Sequence, residues 1–215
     1  MPAKRVLIVY YSYTQQTKTL LKKFLLGLES KGIEVVLERL EPNVPFEFPF
    51  RSNRRLFLAM LATFFCKTMT IRPIAAHCHQ KWDCIVVAGP TWSYNPSGPV
   101  LDFLRRYRST LCVGNIVVPF ISCRSYWRWH VYFFRRLLGG QRCTIGRPIV
   151  FMHPQKEPWR VLGLILQLRG KVVPRQYGWW KKRYPAYGHS REQGEEAMQV
   201  GRNLGSWLLG EADRY

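Results

Sequence analysis

Two stretches of this chain combine residue types whose spacing suits ligand chemistry. The first is the hydroxyl-rich turn Ser12, Tyr13, Thr14, Gln15, Gln16 and Thr17, which follows the apolar run Arg5 to Tyr11 and leads into a helical pattern. A helix that starts just after Ser and Thr presents free backbone N–H groups and the positive end of its dipole, and both favour a bound phosphate. The second is the loop Gly89 to Pro99, with Pro90, Thr91, Trp92, Ser93, Tyr94 and Asn95, after the strand-like run Asp83 to Ala88. A rigid Pro/Gly loop of this kind can offer a planar ligand an aromatic wall and main-chain hydrogen bonds. A rigid turn around a packed Trp fits the same residues equally well.

Smaller constellations read as structure. His77, Cys78 and His79 lack a second cluster with ligand spacing, so they predict a polar turn ahead of the third strand and no metal site. His153, in Met152-His153-Pro154 at the end of the fifth strand, reads first as a loop histidine. His189 leads toward the last helix, with Ser190 as its cap. The six cysteines form no CxxC pair and predict free thiols, with Cys84 and Cys112 as core filling. The apolar strand begins almost at residue 1, which leaves no room for a secretory signal and predicts a cytoplasmic protein.

The elements that must position these residues alternate. Strands are expected at 5–11, 33–39, 83–89, 115–122 and 147–152, and helices at 16–31, 97–109, 127–138 and 190–209. Five strands alternating with helices predict an α/β fold with a doubly wound parallel sheet. Ligands of such sheets bind outside the carboxyl ends of the strands, which selects the loops 12–17, 89–99 and 122–127. At 215 residues and 47% hydrophobic content, the chain is expected to form one domain over 1–215.

The net charge of +20 and a pI near 10.2 point to an anionic surface, either nucleic acid or acidic lipid. The charge is concentrated: from Arg51 to Arg191 there are 24 Lys or Arg against Asp83, Asp102 and Glu157, while the two ends together are about neutral. Three basic amphipathic inserts carry it, at 51–72, 125–140 and 154–185. The first holds an apolar run from Leu56 to Phe65 between arginines, too short for the roughly 20 residues that a membrane span needs. The second interleaves aromatics with Arg124, Arg128, Arg135 and Arg136, and the third sets Trp159 to Leu168 beside Lys171, Arg175, Trp179, Trp180, Lys181, Lys182 and Arg183. Such elements suit a headgroup boundary and predict peripheral attachment to the inner face of a membrane. The competing expectation for 56–65 is an ordinary second core helix. Nucleic acid is disfavoured, because a strand-binding groove does not need apolar runs such as LGLILQL beside its charge.

YYSYTQQT, DCIVVAGPTWSYNPSGPV and ISCRSYW together resemble the three flavin mononucleotide (FMN) loops of the flavodoxin-like proteins. The resemblance covers roughly 4–41, 81–127 and 186–209, and implies a five-stranded flavodoxin-like sheet with FMN as cofactor. It implies that Ser12, Thr14, Gln16 and Thr17, with Gln15 in the same turn, hold the flavin phosphate. By the same resemblance Pro90, Thr91, Trp92, Ser93, Tyr94 and Asn95 line the ring, with Trp92 or Tyr94 stacked on it, and Ser122, Cys123, Arg124 and Tyr126 close its other edge. Relatives commonly carry Gly at the position of Gln15, so a left-handed backbone there would be strained in this chain.

PFEFPF, PTWSYNPSGPV and VPFISCRSYW are further similar to a flavodoxin-like branch labelled dialkylresorcinol condensing enzyme. A thiolase-type condensation needs a Cys nucleophile with His partners, which this chain does not supply. The implied activity is instead an FMN-dependent oxidoreductase acting on a lipophilic substrate, a quinone or an alkylated cyclic dione. Tyr94, Tyr126 and His153 are the candidates for proton handling, and NAD(P)H or a redox protein is a possible partner. The alternatives are an electron carrier, or a membrane-attached scaffold that has lost its flavin.

Overall fold

The computed structural model describes residues 3–140, 142–154, 158–171 and 188–215. Its strands are β1 (Arg5–Tyr10), β2 (Glu34–Arg39), β3 (Cys84–Trp92), β4 (Asn95–Pro96), β5 (Ile116–Cys123), β6 (Thr144–Ile145) and β7 (Ile149–Met152). Its helices are α1 (Gln16–Glu29), α2 (Asn53–Phe64), α3 (Gly98–Tyr107), α4 (Trp127–Leu138), α5 (Trp159–Leu168) and α6 (Arg191–Leu208). The parallel sheet runs β2-β1-β3-β5-β6, with β7 also paired to β5 and β4 folded back antiparallel on β3.

The sheet is covered on both faces, which is why β1 and β3 are continuous apolar runs instead of alternating ones. Side chains still alternate between two cores. Leu7, Val9, Ile85, Val87 and Val117 join α3 and α4 on one face, whereas Val6, Ile8, Val86, Val118 and Phe120 join α1 and α6 on the other. Helices α1 and α6 meet at Gly27 and Gly201. A Cβ at Gly27 would collide with the Met198 carbonyl oxygen, and one at Gly201 with that of Phe24.

The second-core-helix expectation for 56–65 fails. Leu56 is the buried residue of α2, and the core position of this crossover is filled by Ile71, Ile74, Cys78 and Trp82. That segment is pinned by Asp102, whose carboxylate accepts the Ile71 N–H at 2.9 Å, and by Trp82, which donates to the Cys78 carbonyl at 2.9 Å. The expected fifth strand 147–152 is present as β7, two residues shorter at its start, and a further short strand precedes it: β6 lies against the start of β5 and β7 against its end, with 146–148 between them. Pro148 has no N–H for a ladder, and Gly146 is pressed against the Tyr215 hydroxyl and Val118.

The remaining helices match to within two residues, and the tail of the third becomes a π-helical turn at Arg108–Cys112. Ser190 caps α6 through a capping box with Gln193, and Cys84 and Cys112 are fully buried. His77 to His79 lie in a short 3-10 helix, Ala76–His79. Among the described residues no helix is long and apolar enough to cross a membrane. Of the third insert, Arg175, Trp179, Trp180, Lys181, Lys182 and Arg183 lie outside the described residues.

Candidate functional site

The three loops singled out above converge at the carboxyl ends of β1, β3 and β5. Strand register brings this about: Tyr10 lies opposite Ala88, and Pro90 opposite Ser122. Beside them come residues 188–190, which precede α6.

The turn 12–17 forms the head of α1. Gln15 is the N-cap, in the left-handed region at φ 63°, so the strain foreseen for a non-glycine residue is present. Ser12 is buried and its hydroxyl accepts the Lys18 N–H at 3.2 Å. Thr17 is also buried, Thr14 and Gln16 are half-buried, and Gln15 is exposed. No carboxylate stands in the first turn of the helix. Hydroxyls, first-turn amides and the absence of negative charge together fit a phosphate.

In the second loop Trp92 is wedged into its own protein. Its ring meets Tyr11 and Tyr13 edge-on, with centroids 5.5 and 5.7 Å away, and lies tilted against Phe46 at 5.4 Å. Trp92 therefore joins the first and second loops, and Tyr94 is left as the ring that meets the third. Its centroid is 4.6 Å from that of Tyr126, which is exposed and has φ 59°. A planar ligand between these two rings needs them to part. The loop is also gripped from α2. Asn95 Nδ2 donates to the carbonyls of Thr63 and Phe64 at 2.9 and 3.0 Å, and Ser93, at φ 51°, bonds the Thr63 hydroxyl and the Met60 carbonyl. Thr91 Oγ1 bonds His130 Nδ1 at 2.8 Å. His130 is fully enclosed, and burial pushes its pKa down to about 3, so the ring is neutral.

The third loop starts with Ser122 and Cys123, both buried. Burial drives the Cys123 thiol up to about 12, which leaves it inert. Ser122 Oγ lies 2.8 Å from His189 Nε2, and His189 Nδ1 lies 3.0 Å from Gln193 Oε1. Because a carboxamide oxygen can only accept, Nδ1 carries the proton and Ser122 donates to Nε2. Gln193 also donates to the Met152 carbonyl at 2.6 Å, so this chain of bonds ties β5, β7 and α6 together. Arg124 donates to the Arg160 carbonyl at 2.9 Å, Arg160 returns a bond to the Arg124 carbonyl, and its other nitrogen reaches Ser125 Oγ at 2.7 Å.

His153 is buried behind these loops. Its Nε2 accepts the Gly188 N–H at 3.2 Å, and its backbone N–H donates to the Cys123 carbonyl at 2.8 Å. Burial, helped by the charges of Arg124 and Arg160 and by His189, lowers its pKa to about 3. With Nε2 engaged and the ring neutral, His153 holds residue 188 in place. The same burial lowers His189, against the opposing effect of its Gln193 bond.

Sequence reasoning did not find His130, His189 or the α2 carbonyls as partners of the site. Their sequence distances from Thr91, Ser122 and Asn95 leave no local signal.

No protein-family model matches the chain, and no curated protein matches it. Solved structures do. A flavoprotein in complex with FMN from Lactobacillus acidophilus NCFM is 18% identical with a TM-score of 0.52, over 69% of this chain and 93% of that one. A flavodoxin from the domain Archaea is 13% identical with a TM-score of 0.52, over 95% and 99%. The flavodiiron protein of Giardia intestinalis is 16% identical with a TM-score of 0.54, but this chain spans only 36% of its length. These similarities establish a flavodoxin-like fold.

Proposed function

We propose that this flavodoxin-like chain is an FMN-dependent oxidoreductase working at a membrane surface on a lipophilic substrate. The substrate class is a quinone or an alkylated cyclic dione, as in lipid or resorcinol-type biosynthesis. The observation that carries the flavin part is the convergence of a hydroxyl cradle at a helix start, an aromatic loop and a third loop at the carboxyl ends of three adjacent strands. The FMN held by the Lactobacillus flavoprotein supports it.

Ser12, Thr14, Gln16 and Thr17 would hold the phosphate, and Pro90 to Asn95 with Ser122 to Tyr126 would line the ring. Bound FMN supplies hydride or electron transfer, with NAD(P)H or a redox protein as the donor. The chain's own residues bind, orient and shield. Trp92 fixes the first loop against the second, His130 and His189 hold Thr91 and Ser122, and Tyr94 and Tyr126 offer phenols for proton handling. His153, neutral and engaged at Nε2, serves as a positioning group.

A second reading has specific support: the strained Gln15 and the Tyr94–Tyr126 contact favour a membrane-attached scaffold without flavin. The carrier reading is opposed by the charge of +20. Absorbance and fluorescence titration of the purified chain with FMN separates them. A bound oxidised-flavin spectrum with quenched fluorescence supports the enzyme and justifies screening quinones and cyclic diones. No binding at micromolar FMN overturns it in favour of the scaffold.

A further inference from the structure

Exposed large apolar side chains are distributed very unevenly. Leaving aside Leu26, Leu37, Val113 and Leu209, all those among the described residues fall in 44–65, 126–132 and 152–165. Scattered single exposures are ordinary on a soluble surface, whereas clustering marks an interaction site. On α2 and its C-cap the stripe Phe57, Leu61, Phe64 and Phe65 is 42–71% exposed, and on α5 Leu162 and Ile165 are exposed.

These segments form a closed rim around the carboxyl ends of the strands. The end of α2 is bonded to Ser93 and Asn95, and Tyr94 touches both Phe64 and Tyr126. Residues 124–125 are bonded to Arg160 at the start of α5. From the far end of that helix, Arg169 donates to the Phe50 carbonyl at 2.9 Å while Phe50 N–H donates to Leu168 at 2.8 Å. Glu47 and Ser52 then lead back to α2 through Arg55.

Charge identifies what would cover such a rim. Arg51, Arg54, Arg55 and Lys67 flank α2, Glu47 being the one carboxylate from 43 to 72, and no carboxylate occurs between Asp102 and Glu157. A second copy would bring like charge against like charge. Helices of 12 and 10 residues cannot span a bilayer but can lie in its interface, with arginines reaching anionic headgroups. We propose that the rim is a docking face for an anionic lipid leaflet, with α2, α5 and the Tyr126–Tyr132 edge in the interface and the ends of β1, β3 and β5 turned toward the lipid. A lipophilic ligand then reaches the three loops from the bilayer. The inference rests on the membrane part of the proposed function and is independent of the flavin part.

The test is sedimentation of the full chain with vesicles of phosphatidylcholine, alone or mixed with phosphatidylglycerol, at low salt and at about 0.5 M salt, where surface attraction is screened. Mixed vesicles are expected to bind at least about tenfold more protein than neutral ones, with part of the binding surviving high salt. Phe57→Asp with Phe65→Asp, and separately Leu162→Asp with Ile165→Asp, should each weaken binding at least about tenfold, while Leu26→Asp should not. Two independent pairs guard against one failing to fold. Wild-type binding by both pairs, complete loss at high salt, or no binding to either vesicle overturns the proposal. FMN titration of the same variants keeps a failure of flavin binding distinct from a failure of docking.

Discussion

The pairs α1–α6 and α2–α5 contrast in where they put their apolar side chains. Helices α1 and α6 bury Leu20, Phe24, Leu28, Ala197 and Leu204 in the sheet and approach so closely that glycine is required at Gly27 and Gly201. Helices α2 and α5 are at least as apolar in sequence, yet each buries a single residue, Leu56 or Gly163. Hydrophobic content in this chain is therefore not a measure of core. One pair holds the fold together, and the other surrounds the site.

The largest effect expected of a single substitution is at the first pair. Gly27→Val forces a branched side chain into the α6 backbone and should cost about 4 kcal/mol or prevent folding, as read by urea denaturation. Acid comes next. His130 and His153 are held near 3 by burial, whereas unfolding returns them toward 6.5, so the unfolded chain binds more protons between those values. Stability should be full above about 6.5 and fall as pH drops toward 3, by up to about 1.4 kcal/mol per pH unit for each ring. Urea midpoints across that range check it, and His130→Asn should flatten the curve. Neither α2 nor α5 contains a histidine, so those two helices add no histidine of their own to this slope.

Smaller effects sharpen the other side. Gln15→Gly relieves a left-handed cap and should raise stability by about 1 kcal/mol, with tighter FMN binding in the same titration. Least of all, Phe57→Asp with Phe65→Asp should change the urea midpoint by no more than about 0.5 kcal/mol equivalent, because neither ring packs into the core. A large loss there would show that α2 belongs to the fold after all.

Much of the sheet was legible because buried parallel strands are unmistakable runs, and α4 and α6 were legible because apolar spacing and the Ser190 cap are local signals. The short strand β6 was not, since two residues carry no periodic signal and only its pairing with the start of β5 defines it. The apolar run of α2 reads the same whether it faces a core or a lipid, and only the presence of 71–82 in the core position decides. At the site the sequence indicated which loops meet, but not that Trp92 is consumed by internal packing, nor that His130 and His189 hold the loops. Those facts rest on contacts between residues far apart in the chain.

Asn95 holds one more consequence. The last carbonyls of a helix lack partners within it, and here two of them, on Thr63 and Phe64, are met by an amide from 31 to 32 residues further along. The Cys66 N–H also reaches the Thr63 carbonyl, so α2 is finished partly by its own chain and partly by a residue outside itself, and loosening of that loop should loosen its final turn. Amide exchange there becomes a remote gauge of what the aromatic loop is doing, readable without any probe placed in the site.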